Sequence, residues 1–147
     1  MNRREAGLAL LAAAFGPKLA MAQATPQTHV VKMWSDGGMK YYMPDFLKVA
    51  VGDTVQFVNM SGRHNTESVD GMIPEGTTPW NSQLEQTFEL KITQPGVYGY
   101  KCTPHFAMGM VGIIVAGDDP ANLVQAQSVK TPKKAKAVFD RLFAKVN

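Results

Sequence analysis

The stretch Cys102-Thr103-Pro104-His105-Phe106-Ala107-Met108-Gly109-Met110 places three metal-ligating residue types within nine residues. It contains the only cysteine of the 147-residue chain and one of its three histidines. A thiolate and a thioether are soft ligands and an imidazole is a borderline ligand, and this combination suits copper. The spacing Cys-x2-His-x4-Met therefore indicates a copper site that is built largely on one segment.

A second imidazole is missing from this segment, because a trigonal electron-transfer copper site uses two histidines, one cysteine and a weak axial methionine. The candidates are His29 and His64. His64 lies at the start of a long connection, residues 60–86, of a kind that often carries function. His29 opens a predicted strand and is interpreted as structural, so we expect His64 to complete the site. Four protein ligands leave no open position for a substrate, which favours electron transfer over catalysis.

Short β-rich runs separated by turn residues surround this segment. They predict strands at residues 29–34, 46–51, 54–59, 87–93, 97–102 and 111–116. No helical pattern lies between these runs, which favours an antiparallel β-sandwich. Alternation places Tyr98, Tyr100 and Cys102 on one face of their strand, so Cys102 would enter the site from the end of a buried row.

Two helices are predicted after the last strand, over residues 120–128 and 132–146. Asp118-Asp119-Pro120 has the acidic N-cap and the early proline of a helix start. The second helix has an apolar stripe opposite a basic face, and that face is interpreted as solvated. The stripe consists of Ala135, Val138, Phe139, Leu142, Phe143 and Val146.

The N-terminus has the organisation of an export signal. Met1–Arg4 is basic, residues 6–15 are apolar, and Ala22-Gln23-Ala24 is a small-residue cleavage site. We therefore expect residues 1–24 to be a cleaved signal peptide and residues 25–147 to form one domain. A membrane anchor is the alternative, but the apolar run is too short to span a bilayer. The pair Arg3-Arg4 leaves the choice between the Sec and the Tat export routes open.

Removing this leader changes the charge of the protein. The full chain has a formal net charge of +3, but residues 25–147 retain 12 basic and 11 acidic residues, a net charge of +1. Nucleic-acid binding is therefore a poor interpretation, because neither a strong basic surplus nor a recognised motif is present. A single cysteine in an exported protein cannot form an intramolecular disulfide, which favours a metal-bound thiolate.

Three other functions can be set against the copper electron carrier. An enzyme with Cys102 as nucleophile and His105 as base would lack an orienting residue and would leave Met110 unexplained. A copper storage or delivery protein would use methionines, but Met33, Met39, Met43, Met60 and Met72 are scattered along the sequence. A structural zinc site is disfavoured because methionine is not a usual zinc ligand.

The whole predicted mature chain resembles the cupredoxins and, among them, the pseudoazurin family. The matching motifs are His64-Asn65, Gly71–Pro74, Pro95–Gly99, Lys101–His105, Met108–Gly112 and Pro120–Leu123. Phe106 departs from the family, which often has tyrosine there, but this position is outside the ligand set. The resemblance implies a Greek-key β-sandwich of eight strands with two C-terminal helices and one copper ion that alternates between Cu(I) and Cu(II). It implies His64, Cys102, His105 and Met110 as ligands, with Asn65 tying the ligand loop.

The resemblance also implies a periplasmic one-electron carrier that delivers electrons to a periplasmic reductase, such as nitrite reductase in denitrification. We expect a monomer that neither binds nucleic acid nor inserts into a membrane after the signal is removed. The edge of His105 is the expected exit for the electron. Around it, Met39, Pro104, Phe106 and Met108 would form an apolar docking patch, with Lys40 and Lys101 on a basic rim.

Overall fold

The computed structural model describes Gly16 and residues 24–146. Apart from Gly16 and Ala24, the predicted signal peptide lies outside the described residues. The described part contains eight strands: β1 Thr28–Asp36, β2 Met39–Met43, β3 Phe46–Val49, β4 Thr54–Asn59, β5 Glu67–Ser68, β6 Phe88–Lys91, β7 Gly96–Lys101 and β8 Val111–Ala116. Two of them, β2 and β5, were not predicted from the sequence.

The strands form two four-stranded sheets, with the orders β2-β1-β4-β6 and β3-β8-β7-β5. The predicted mainly β sandwich with two C-terminal helices is confirmed. Its pairing is mixed, because β1 pairs with β4 and β3 pairs with β8 in parallel, while the other pairs are antiparallel. Parallel pairs need long connections, and here the chain visits the opposite sheet before it returns beside its earlier strand.

The space between the sheets is filled by an apolar cluster with aromatic rings at its centre. The ring of Tyr100 packs edge-to-face against Tyr42 and Phe57, with centroid distances of 4.7 and 5.0 Å. Gly112 lies opposite Tyr100 across the β7–β8 pair, where a Cβ would collide with the tyrosine ring. Cys102 belongs to this same buried cluster, as predicted, directly after the last residue of β7.

The two helices cover the outer face of the second sheet. These are α1, Leu123–Ser128, and α2, Lys133–Phe143. Ala126, Ala135, Phe139 and Leu142 pack there with side chains of β7 and β8 and are fully or almost fully buried. Strand β8 is therefore buried on both faces, which explains its continuous apolar sequence Val-Gly-Ile-Ile-Val-Ala.

The first helix begins later than the sequence predicted. Its N-cap is Asn122, so the prediction of an acidic N-cap at Asp118-Asp119 is wrong. The Asn122 side chain accepts a hydrogen bond from the Val97 N–H at 2.7 Å and donates one to the Val97 carbonyl at 2.8 Å. Asn122 therefore fastens the start of α1 to β7. Neither described helix has the length and apolarity that crossing a membrane requires.

His29 is structural in this fold, as its sequence position indicated. Its Nε2 donates to Asp53 Oδ2 at 2.8 Å, while the Gln27 and Ala50 amides donate to the same carboxylate at 2.9 and 3.1 Å. Asp53 is buried, with 6% exposure. Its pKa is lowered to about 2, first by the Gln27 amide and then by His29 and Ala50. Asp53 thus ties the start of β1 to the turn between β3 and β4.

Asp53→Asn should lower the melting temperature at neutral pH, because an asparagine amide would turn a donor toward amides that need an acceptor. The folded pKa of about 2 lies below the usual unfolded value of about 3.9. The carboxylate therefore stabilises the fold above about pH 4, and this contribution is lost as the pH falls toward 2. Thermal unfolding from pH 7 to pH 2 measures it, with Asp70→Asn, at an exposed carboxylate, as the matched control. A gap between wild type and Asp53→Asn that stays constant across this range would contradict the assignment.

Candidate metal centre

Three side chains with metal-ligating atoms converge at one end of the sandwich. His64 lies in the connection after β4, Cys102 follows β7, and His105 lies in a short 3-10 helix, Thr103–Met108. His64 Nδ1 and His105 Nδ1 are 3.2 Å apart, and Cys102 Sγ is 3.7 Å from His64 Nδ1 and 3.4 Å from His105 Nδ1. In the described part of the chain, this is the one group of three or more His, Cys, Asp or Glu side chains with such spacing.

The spacing of these three atoms fits one metal ion. They form a nearly equilateral triangle, so a point in their plane lies about 2 Å from each atom, close to ordinary metal–imidazole and metal–thiolate bond lengths of about 2.0 to 2.3 Å. Two imidazoles and one thiolate in a trigonal arrangement are the donor set of an electron-transfer copper site. The residues that the structure brings together therefore fit copper.

Met110, the fourth predicted ligand, closes the segment that carries Cys102 and His105. The Cys102 N–H donates to the Met110 carbonyl at 3.0 Å, and the Met110 N–H donates to the His105 carbonyl at 3.2 Å. Gly109 ends the 3-10 helix in a left-handed conformation, with φ of 89°, which glycine adopts without strain. The Met110 side chain is fully buried in the same apolar cluster as Cys102.

The surroundings shift the pKa values of His64, Cys102 and His105. Burial lowers the pKa of His64, and the neighbouring His105 and Lys40 lower it further. Burial also lowers the pKa of His105, with Lys40 adding to the effect. Burial raises the pKa of the Cys102 thiol, although the backbone amides of Asn65 and His105 and the charge of Lys40 oppose this. Neutral imidazoles are ready to bind a metal, whereas the thiol must release its proton on binding.

Asn65 connects the His64 segment to the Cys102 segment, the position that the resemblance implied for it. Its Oδ1 accepts from the Thr103 N–H at 2.7 Å, and its Nδ2 donates to Thr103 Oγ1 at 2.8 Å and to the Ser82 carbonyl at 3.1 Å. Asn65 is 3% exposed. A single buried amide thus fixes the distance between the segments that supply the two sides of the site.

Two further contacts of the site were not found from the sequence. His64 Nε2, on the ring edge opposite to Nδ1, lies 2.8 Å from Ser35 Oγ at the end of β1. Thr103 Oγ1 donates to Glu67 Oε2 at 2.6 Å. Ser35 lies 29 residues before His64 and Glu67 lies 36 residues before Thr103, and no motif marks either contact, so only the folded arrangement identifies them.

The predicted docking residues differ in their exposure and in the charged groups around them. Met39 and Met108 are exposed, at 64% and 49%. Lys40 lies opposite Ser35 in the β1–β2 pairing, which places it beside the His64 segment. Lys101 instead has its ammonium 3.9 Å from a Glu67 carboxylate oxygen and 4.7 Å from the centre of the Phe106 ring. Lys101 is therefore a partly compensated charge.

Comparison with known proteins agrees with this geometry. Residues 28–117 match the family described as copper binding proteins, plastocyanin/azurin family. A pseudoazurin from Paracoccus pantotrophus is 40% identical over 141 residues, which covers 93% of this chain and 97% of that protein. A pseudoazurin from Methylorubrum extorquens is 37% identical over 118 residues, covering 79% and 80%.

Solved structures give the same result. The crystal structure of pseudoazurin from Methylobacterium extorquens AM1 superposes with a TM-score of 0.78 at 36% identity, covering 82% of this chain and 99% of that one. Native pseudoazurin from Hyphomicrobium denitrificans gives a TM-score of 0.76 at 36% identity, covering 82% and 98%.

The chain belongs to the plastocyanin/azurin family of copper-binding proteins and, within it, to the pseudoazurins. Members of this family bind one copper ion and transfer electrons, and they are not enzymes. The chain is therefore a copper electron carrier, and the copper cofactor predicted from the sequence is confirmed.

Asn65→Ala should lower the free energy of unfolding by about 1 to 3 kcal/mol, because it removes the hydrogen-bond partner of the Thr103 N–H and of the buried Ser82 carbonyl. It should also broaden the visible absorption of the copper-loaded protein, since the two ligand segments lose their common tie. Chemical unfolding and absorption spectra measure the two effects. Asn81→Ala, which removes an exposed amide that contacts Asn65, is the control and should change both much less. Equal effects of the two variants would show that Asn65 does not hold the segments together.

Proposed function

We propose that this protein is a periplasmic one-electron carrier with a type 1 copper site, in which His64, Cys102, His105 and Met110 bind a single ion. The observation that carries this proposal is the triangle of His64 Nδ1, Cys102 Sγ and His105 Nδ1, with separations of 3.2 to 3.7 Å. Met110 would supply a thioether as the weakest of the four donors. Copper in such a site supplies a one-electron couple between Cu(II) and Cu(I).

The protein residues prepare the site for both oxidation states. His64, Cys102 and Met110 are fully buried, so these three side chains would offer their donor atoms to copper without contact with bulk water. Asn65 and the backbone bonds between Cys102 and Met110 hold the segments in place. Because the ligands are held by the fold, they need little rearrangement when one electron arrives or leaves.

The geometry argues against Cys102 as a catalytic nucleophile. A reactive cysteine lies in a partly exposed, electropositive place that lowers its pKa. Cys102 is fully buried, and burial raises the pKa of its thiol. The contact of 3.4 Å between Cys102 Sγ and His105 Nδ1 therefore supports a pair of metal ligands better than a nucleophile and its base.

Copper storage, the other alternative, finds less support. A store needs several sites with soft ligands, whereas residues 24–146 bring together a single group of histidine and cysteine. Met33 and Met72 are core residues, while Met39, Met43 and Met60 are exposed at separate positions along the chain. One ion per chain is the stoichiometry that this arrangement supports.

The cellular place and the partner follow from sequence features and relatives together. The leader of residues 1–24 supports export with cleavage after Ala24, and the pseudoazurin relatives support a periplasmic location. The electron acceptor we propose is a periplasmic reductase such as nitrite reductase, and the carrier acts as a monomer. Docking uses the patch formed by Met39, Pro104, Phe106 and Met108, with Lys40 and Lys101 at its rim.

Cys102→Ser should bind copper weakly and be colourless, because the intense visible band of such a site is a thiolate-to-Cu(II) charge transfer. Absorption spectra and metal content per chain test this directly. Met108→Leu is the matched control: it changes an exposed methionine of the same segment and should keep both the band and one copper per chain. A Cys102→Ser protein that stays blue, or a wild type that binds several copper ions, would contradict the proposal.

Charge reversal at Lys40 should slow electron transfer to an acidic reductase while leaving the visible spectrum unchanged. Steering depends on salt, since the Debye length shrinks from about 10 Å at 0.1 M to about 3 Å at 1 M. Lys40→Glu should therefore reduce the bimolecular rate severalfold at low salt and much less at high salt. Lys101→Glu should act in the same direction.

Lys48→Glu is the matched control for this experiment. Lys48 pairs with Val115 near the end of β8 that is remote from Met110, so its reversal changes the net charge equally but far from the site. Stopped-flow rates over a salt series compare the three variants. Equal slowing by Lys40→Glu and Lys48→Glu would show that net charge matters and the proposed rim does not.

A further inference from the structure

The ring of His64 is held from its outer edge by a hydroxyl that belongs to another strand. Its Nδ1 faces Cys102 and His105, whereas its Nε2 lies 2.8 Å from Ser35 Oγ. Ser35 is the penultimate residue of β1 and lies 29 residues before His64 in the chain. The ring is fully buried, so no water replaces this partner.

The backbone of Ser35 is itself fastened to the segment that carries His64. The Ser35 N–H donates to Ser61 Oγ at 2.9 Å, and the Ser61 hydroxyl donates to the Ser35 carbonyl at 2.9 Å. Asn59 Nδ2 donates to the Gly62 carbonyl at 2.9 Å and fixes the turn that follows Ser61. Ser35, Ser61 and His64 are therefore linked in a closed loop of contacts: Ser35 is hydrogen-bonded to Ser61 and contacts His64, and the polypeptide chain joins Ser61 to His64.

Gly62 shows how tightly this loop of contacts is packed. A Cβ at this position would collide with Ser35 Oγ and would lie 2.9 Å from His64 Nε2. Its φ of 82° is in the left-handed region that favours glycine. A side chain at position 62 would therefore not fit beside the contact between Ser35 Oγ and His64 Nε2.

We propose that Ser35 is a positioning residue for the metal centre, and this rests on the proposed ligand role of His64. Ser35 Oγ accepts a hydrogen bond from His64 Nε2–H. This fixes the proton on Nε2, leaves the lone pair of Nδ1 for the metal, and holds the plane of the ring. A hydrogen-bond acceptor on the far nitrogen also makes the imidazole more basic, which favours Cu(II) over Cu(I).

The test compares Ser35→Ala with wild type in the copper-loaded, full-length mature protein. Copper affinity should fall about 10- to 100-fold, as is usual when the hydrogen-bond partner of a ligand is removed. The reduction potential should rise. In the diamagnetic Cu(I) form, the His64 Nε2–H proton resonance should move upfield and exchange faster with water. A role in folding alone would move neither the potential nor this resonance.

Two further variants separate the hydrogen bond from general disruption. Ser35→Thr keeps the hydroxyl and should restore the resonance and the affinity. Ser68→Ala removes another buried hydroxyl, which is bonded to the Trp80 backbone rather than to a ligand, and should leave potential and resonance unchanged. Should Ser35→Ala fail to fold, the wild type decides: a His64 Nε2–H that exchanges as fast as an exposed imidazole overturns the proposal.

Absorption spectra of the wild type and measurements on Ser35→Ala distinguish the copper site itself from the role of Ser35. A wild type without thiolate-to-copper absorption would refute the copper site itself. A wild type with that absorption, together with a Ser35→Ala variant whose Nε2–H resonance is unmoved or whose copper affinity is within twofold of wild type, would overturn only the role of Ser35.

Discussion

The structure depends on holding two imidazoles and one thiol within 3.7 Å of one another, with His64 and Cys102 fully buried. Polar groups without partners are costly to bury, so the buried His64 and Cys102 must be compensated from outside the triangle. His64 has Ser35 on its outer edge, and backbone amides oppose the rise in the pKa of Cys102. The inner sides of the three groups, directed at one another, are left for the metal.

The sandwich provides the rigidity that this arrangement needs. Strand β8 is buried on both faces, between the aromatic cluster and the helices. Cys102 and Met110 flank the ligand loop between β7 and β8, and the backbone hydrogen bond between these two residues extends the antiparallel ladder to the edge of the site. A close-packed interior resists deformation, so the loop is fastened at both ends to the most rigid part of the fold. The loop can therefore be short, exposed at Pro104 and Met108, and still well positioned.

The sequence was informative wherever the signal was local. The Cys-x2-His-x4-Met spacing predicted the ligand segment, alternation predicted the burial of Tyr98 and Tyr100, and the stripe around Phe139 predicted α2. It failed where tertiary contacts override local preference: Asn122, not an aspartate, begins α1 because its side chain pairs with β7. Strand β5 is two residues long, too short for any period. The contacts of Ser35 with His64 and of Glu67 with Thr103 could not be found, because they join residues that are 29 and 36 positions apart in the sequence.

The same local contacts connect the interior of the site to its surface. Lys40 is the cross-strand neighbour of Ser35, so the strand pair that contacts His64 also carries a partly exposed cation. The charge of Lys40 affects the pKa of all three candidate ligands. On the other side, Glu67 accepts from Thr103 and pairs with Lys101, whose ammonium lies over Phe106. Thr103 in turn is bonded to Asn65. A positive charge near the site favours the less positive, reduced state of a metal, whereas a carboxylate opposes it. The two sides of the site are therefore not equivalent: the charge of Lys40 acts on all three candidate ligands, whereas the charge of Lys101 is partly compensated by Glu67.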